Sequence, residues 1–290
     1  MRKIFFVITL FVLCNSANSQ LFWKITGKNL KKPSYLFATS PYIATTIIDS
    51  IPGIFTRFMD CSVVIGETSI NKIDYEAKVY NAALLPQNIT LKKFISKNDT
   101  AFVNKEIKDV LKLNLNEISA LKPGIIINFY QDEIIKRTLL TENETDINSV
   151  FQSLAAEKGK IVEGVNDAKD YIKQLSDTTN LQEQADKLVT LLTNKDVFQN
   201  EILKLSSIYK SGNIEIYYNT ALFSKYACHL PDKSFLNDLN KTNLNWISKL
   251  NEVIKTENAF IVTDILRLHG ENGLIQLLRN DGYKVVEVGK

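Results

Sequence analysis

The segment Cys61–Ser62–Val63–Val64–Ile65–Gly66–Glu67 is apolar on both of the sides a strand presents, and it ends on a carboxylate. Side chains alternate along a strand, so Val64 points one way and Val63 and Ile65 the other, leaving no face for water. A strand of this kind needs cover above and below, which only a chain with a sizeable core can supply. With 290 residues, 45% of them hydrophobic and 23% charged, this chain has the material. Ala259–Phe260–Ile261–Val262–Thr263–Asp264 repeats the pattern near the other end, again closing on an acid.

Around these two runs the periodicity switches between strand and helix. Phe22–Thr26, a turn at Gly27–Lys28–Asn29, and Ser34–Thr39 after Lys32–Pro33 predict a hairpin. Residues 43–59 have helical spacing interrupted at Ile51–Pro52–Gly53. From about 70 to 158 the spacing is mostly helical, as in Phe102, Ile107, Val110, Leu111 and Leu113. Gly159–Val165 reads as a short strand, and helices fill 167–253 with a break at Leu230–Pro231. A helix opens at Gly270–Gly273 and runs through Arg279, and Tyr283–Val288 forms a last strand after Asp281–Gly282. The class is α/β (mixed α+β) with a helical middle region. No Pro-, Gly- or Ser-rich linker divides the chain, so residues 20–290 are expected to form a single domain.

Residues 1–19 stand apart from that domain. Met1–Arg2–Lys3 is basic, Ile4–Leu13 is an apolar run of ten, and Cys14–Gln20 is small and polar with an Ala17-x-Ser19 site. These are the three regions of a secretory signal peptide, with cleavage after Ser19. Lipid attachment at Cys14 is the competing reading, and the bulk of Leu13 weighs against it. The run is too short to span a bilayer, and no other stretch approaches about 18 apolar residues, so no stable membrane span is expected. The mature protein is expected to be exported, periplasmic or secreted.

The balance of charge excludes one class of partner. A formal net charge of +3, falling near +1 once Arg2 and Lys3 are removed, gives no electrostatic case for nucleic acid. The mature chain keeps Cys61 and Cys228, for which two separately buried thiols are favoured over a disulfide. The only two histidines are His229 and His269, which limits metal and His-based chemistry. A lone His near a helix start is more often a surface residue or cap than a ligand. There is no Gly-x-Ser-x-Gly elbow, no Gly-x-x-x-x-Gly-Lys loop and no Cys-x-x-Cys. Asn88, Asn98 and Asn143 fit the glycosylation pattern, as chance allows in so Asn-rich a chain. Tyr217, Tyr218, Phe223 and Tyr226 have helical spacing and are read as core.

Taken in order, several segments carry a resemblance. Leu21–Phe22–Trp23–Lys24–Ile25–Thr26–Gly27 with Lys32–Pro33–Ser34–Tyr35–Leu36–Phe37 is followed by Val64–Ile65–Gly66–Glu67, Leu121–Lys122–Pro123 and Gly159–Lys160–Ile161–Val162–Glu163–Gly164. Then come Tyr209–Lys210–Ser211–Gly212–Asn213, Asn243–Leu244–Asn245–Trp246, and Gly270–Glu271–Asn272–Gly273 running to Arg279. The set, in this order and over about residues 21–288, resembles the TraB/GumN family, which is related to the Tiki metalloproteases. The resemblance, with the strands 34–39 and 259–264, implies two related halves with short sheets around a central cleft.

It also implies a hydrolytic divalent-metal site held by two Gly-x-x-His motifs and acidic residues. Here the first motif falls on Ala38–Thr39–Ser40–Pro41, with Pro41 at the His position, and the second on Asp264–Ile265–Leu266–Arg267, with Arg267 at the other. Thr242 replaces the family's Arg before Asn-x-x-Trp, and Asn166 replaces a carboxylate, so that Glu67 is the member of the set retained. Proline offers no side-chain lone pair, and a guanidinium repels a divalent ion. The cleft candidates by family position are therefore Thr39, Pro41, Glu67, Asn166, Thr242, Asp264 and Arg267, with no catalytic residue, metal ligand or cofactor expected. If the cleft is retained, an Arg267–Glu67 ion pair could replace the metal; otherwise Arg267 points to solvent, and Asp264 is a second possible partner. The resulting expectation is an exported, non-catalytic domain that binds a peptide or small ligand. The alternative is a metal-dependent or rearranged-site hydrolase or peptidase.

Overall fold

The structure, a computed structural model, describes residues 21–68, 73–139, 146–166, 172–173, 175–224, 226 and 233–288. The signal-peptide assignment at 1–19, the Cys228 and His229 readings, the Leu230–Pro231 break and Asn143 fall outside the described residues.

β1 (Phe22–Gly27) and β2 (Ser34–Thr39) form the expected hairpin, with Phe22 opposite Phe37. Gly27, at φ +91°, with Lys28 and Asn29 also at positive φ, turns the chain between them. β3 (Val63–Gly66), β4 (Ile161–Gly164), β5 (Ala259–Asp264) and β6 (Tyr283–Glu287) complete a six-stranded sheet in the order β4-β3-β5-β2-β1-β6. The four neighbours β4, β3, β5 and β2 are parallel, and β1 is antiparallel to both β2 and β6. The mixed α/β class is as expected.

The two short sheets implied by the resemblance are, however, one. β2 and β5 lie side by side in register from Tyr35↔Phe260 to Thr39↔Asp264. The reason is that both strands are buried on both faces, so their edge N–H and C=O groups have no water to turn to and pair with each other. The carboxyl ends of β2, β3 and β5 meet at one end of this single sheet.

Helices follow the strand-to-strand crossings. A 3₁₀ turn at Thr45–Ser50 and α1 (Ile54–Asp60) flank the expected break at Ile51–Pro52–Gly53. α2 (Ile73–Ala83), α3 (Thr100–Leu111), α4 (Pro123–Leu139) and α5 (Ile147–Glu157) occupy the stretch up to β4. Asp146 caps α5 by accepting the Ser149 N–H at 3.0 Å. Phe151 of α5 then packs on Phe260 at 4.8 Å between ring centroids, and on Phe37 and Phe58, which fixes the helix to the sheet.

α6 (Leu181–Thr193), α7 (Lys195–Lys210), α8 (Ile214–Leu222) and α9 (Lys233–Thr256) precede β5, and α10 (Leu274–Asn280) precedes β6. Helix α10 starts at Leu274, four residues later than the sequence predicts, because Gly270–Gly273 is spent on a turn. Phe102 and Leu113 are exposed, the stripe of α3 being Val103, Ile107 and Val110. Phe223, read as core, is 83% exposed past the end of α8, whereas Tyr217 is buried with Ile214 and Ala221 on one face. Cys61 is a buried thiol, pushed up to about 12 by that burial.

Candidate functional site

Glu67 follows β3 directly, and Gly66 before it lets α5 come close. A Cβ on Gly66 would overlap the side-chain amide of Gln152 and Asn148, and that amide donates from Nε2 to the Thr68 carbonyl at 3.0 Å. The backbone pairing of β3 with β4 continues past the strand end, where the Asn166 N–H donates to the Glu67 carbonyl at 2.7 Å. Asn166 thus reaches the site through its backbone.

Asp264 closes β5 and caps the 3₁₀ turn Ile265–Arg267, its Oδ1 accepting the Leu266 N–H at 2.8 Å. That short turn swings Arg267 back over the sheet end. There Glu67 Oε1 accepts three donors: the Asp264 N–H at 3.1 Å, Arg267 Nε at 3.3 Å and Thr263 Oγ1 at 3.4 Å. Arg267 Nη1 donates to Thr242 Oγ1 at 2.8 Å and to Asn243 Oδ1 at 3.4 Å, and the guanidinium carbon lies 5.2 Å from the Trp246 ring centre. With its side chain 12% exposed, Arg267 does not point to solvent; the Glu67 side chain is 31% exposed.

These contacts set the charge state of Asp264. Burial, reinforced by the neighbouring Glu67 carboxylate, pushes its carboxyl up to about 7, against the opposing pull of the Leu266 N–H and the Arg267 guanidinium. Two acids and one base therefore share the site, one of the acids with its carboxyl pushed up to about 7.

Of the residues expected from sequence, Glu67, Thr242, Asp264 and Arg267 come together in one hydrogen-bonded cluster, and Asn166 touches it. Thr39 sits at the end of β2, where its Oγ1 donates to the Thr263 carbonyl at 3.1 Å. Pro41 is exposed in the turn that follows, between Ser40, whose hydroxyl shares a 2.7 Å bond with Tyr217, and Tyr42. It takes no part in the cluster. His269 packs on Tyr218 at 5.0 Å between ring centres, away from Glu67's bonding partners.

Asn243, Trp246 and Thr263 are site residues that the sequence reading did not nominate. Asn243 is 1% exposed and donates from Nδ2 to the carbonyls of Arg267 at 3.1 Å and Asn272 at 2.8 Å, so it holds both ends of the loop that carries Arg267. The i,i+3 spacing of Asn243 and Trp246 on one face of α9 was the available signal. Among the described residues, no three His, Cys, Asp or Glu side chains gather in one place.

No curated protein and no solved structure matches the chain. The sequence model of the TraB/PrgY/gumN family matches residues 21–287, from the first strand to the last. The same span holds every strand of the sheet and the whole cluster at its carboxyl end, and the chain belongs to that family.

Proposed function

We propose that this chain is an exported, non-catalytic member of the family, which binds a peptide or small ligand at the carboxyl ends of β2, β3 and β5 and uses no metal there. The observation that supports it is the Arg267 guanidinium seated on Glu67, Thr242 and Trp246. The donors present do not fit a divalent ion. Glu67 Oε1 is already engaged by a cation and two further donors, burial opposes ionisation of the Asp264 carboxyl, and Pro41 has no lone pair to offer. A fixed positive charge here balances the part-buried Glu67 carboxylate.

Metal analysis and thermal melts of the purified mature protein test this reading. A metal that binds only the folded state at a hundredfold excess over its dissociation constant stabilises by about 2.7 kcal/mol, a visible rise in midpoint. The expected result is no stoichiometric metal and a midpoint unmoved by manganese, cobalt or a chelator. A chelator-sensitive melt ends the metal-free reading.

A second reading has one observation in its favour. Asp264, its carboxyl pushed up to about 7 by burial and the neighbouring Glu67 carboxylate, is the kind of acid that hydrolases use for proton transfer. A rearranged-site hydrolase would cleave peptide or ester substrates with a pH profile that shifts in Asp264→Asn. A flat profile at the level of uncatalysed hydrolysis removes this alternative.

A further inference from the structure

The two ends of the sheet differ in charge. β2, β3, β4 and β5 are parallel, and β6, antiparallel to β1, runs in their sense. Five strands therefore begin at one end, opposite the Glu67–Arg267 cluster. The chain enters them through residues 27–33, 57–62, 157–160, 255–258 and 279–284. These segments hold nine Lys and Arg against four Asp and Glu, a positive excess of five in a mature chain whose total is near +1. The rest of the molecule is net negative, and a nearly neutral total conceals one strongly basic end.

Little neutralises the cations there. Lys28, Lys31, Lys32 and Lys284 are exposed, and none pairs with a carboxylate among the described residues. Three of the four acids are already engaged. Asp60 pairs with Arg57 at 3.9 Å, Glu257 accepts from Ser62 Oγ at 2.6 Å, and Asp281 accepts from the Asn251 amide. At one side of the row Lys28 Nζ lies 4.8 Å from the Tyr283 ring centre; at the other Lys160 Nζ donates to the Met59 carbonyl at 2.9 Å. Neighbouring strands are about 4.8 Å apart, so the row from β4 to β6 is about 24 Å wide. Charges spread that widely do not converge on one small anion; they match an anionic plane. Met59, 51% exposed, lies at the row itself, and Phe55, 43% exposed, lies one turn back on the same face of α1. Apolar side chains set among cations are the means by which proteins lie on anionic bilayers, the ammonium groups at the phosphates and the apolar groups in the interface.

We propose that this end of the sheet docks on a bilayer surface rich in anionic phospholipid, with Lys28, Lys31, Lys32 and Lys284 at the phosphates and Met59 and Phe55 entering the interface. The docked molecule presents its Glu67–Arg267 cluster away from the membrane. The docking does not depend on the reading of that cluster.

Co-sedimentation of the mature chain with phosphatidylcholine vesicles, with and without phosphatidylglycerol, tests it. Binding is expected only with phosphatidylglycerol, and it should fall steeply between about 0.1 M and about 1 M salt as the screening length shortens from about 10 Å to about 3 Å. The triple variant Lys28→Gln, Lys31→Gln, Lys32→Gln should bind at least about tenfold more weakly, each lost charge counting for about fivefold. Removing three charges from the helical middle, by Lys92→Gln, Lys93→Gln and Lys97→Gln, should change binding by less than about twofold. The emission of Phe55→Trp should move to shorter wavelength on the mixed vesicles, over a constant background from the buried Trp23 and Trp246. Absence of binding, equal binding to both kinds of vesicle, or equal losses in the two triple variants overturns the proposal. So does tighter binding to soluble polyglutamate or duplex DNA than to the mixed vesicles, which would assign this end to a different class of partner.

Discussion

Arg267 Nε lies 3.3 Å from Glu67 Oε1 across 200 residues of sequence, and the contact joins the ends of two neighbouring strands, β3 and β5. Without Arg267, Glu67 Oε1 would face the Asp264 carboxyl with only an amide and a hydroxyl to answer it. The guanidinium supplies the balancing charge, and its other bonds, to Thr242 and Asn243, hold α9 to the same point.

Removing that charge should therefore cost more than one hydrogen bond. Arg267→Gln is expected to lose about 1–3 kcal/mol in a urea titration, below the figure for a fully buried pair because Glu67 retains some contact with water. Glu67→Gln should lose less, since its carbonyl oxygen still accepts the Asp264 N–H. A double-mutant cycle in which the two losses simply add would show that the pair is not coupled.

Asp264 gives the cluster a pH dependence with a definite sign. Its folded pKa, about 7, lies above the unfolded value near 3.8, so between those limits the folded state binds the extra proton. Its contribution is fully present below about pH 4 and is lost as pH rises through 7, a change on the order of 2–4 kcal/mol. Asp264→Asn keeps the Oδ1 acceptor for Leu266 and removes the titration. Measured against the native protein, the variant should gain stability steadily from pH 4 to pH 8; a difference that stays level over that range refutes the assignment.

Ile65 is 1% exposed at the centre of β3, between β4 and β5. Ile65→Ala should cost roughly 2–5 kcal/mol through lost transfer energy and the cavity left behind. A loss well under about 1 kcal/mol in denaturant titration would mean that this strand does not carry the core.

The amino terminus makes its own prediction. Export with cleavage after Ser19 gives a mature chain beginning at Gln20 in the extracytoplasmic fraction. Amino-terminal sequencing that returned Met1 from a cytoplasmic pool would exclude it.

The strands and their ends were legible because they are written locally: the apolar runs 61–67 and 259–264, the turn at Gly27–Asn29 and the acids that close two strands. The pairing of Glu67 with Arg267 was within reach once both residues were set at strand ends, although direction alone could not separate it from an Arg facing water. What the sequence did not disclose was long-range. Nothing local to 34–39 or 259–264 states that they are neighbours, so two sheets and one sheet read alike. The roles of Asn243 and Trp246 depend on where α9 docks, and the exposure of Phe223 depends on α8 ending one residue before it.

The strand order has a consequence for how such a chain comes into being. Residues 22–39 pair with residues 259–264 on one side and 283–287 on the other, so the middle of the sheet is knitted from segments far apart in sequence. A chain emerging amino end first has to hold its opening hairpin unfinished until nearly everything else has been synthesised, with the loop-closure entropy of the whole intervening length set against it. A nick or premature stop that removes the last two strands would leave bare edges on β1, β2 and β3 at once, turning a truncated product into a template for aggregation.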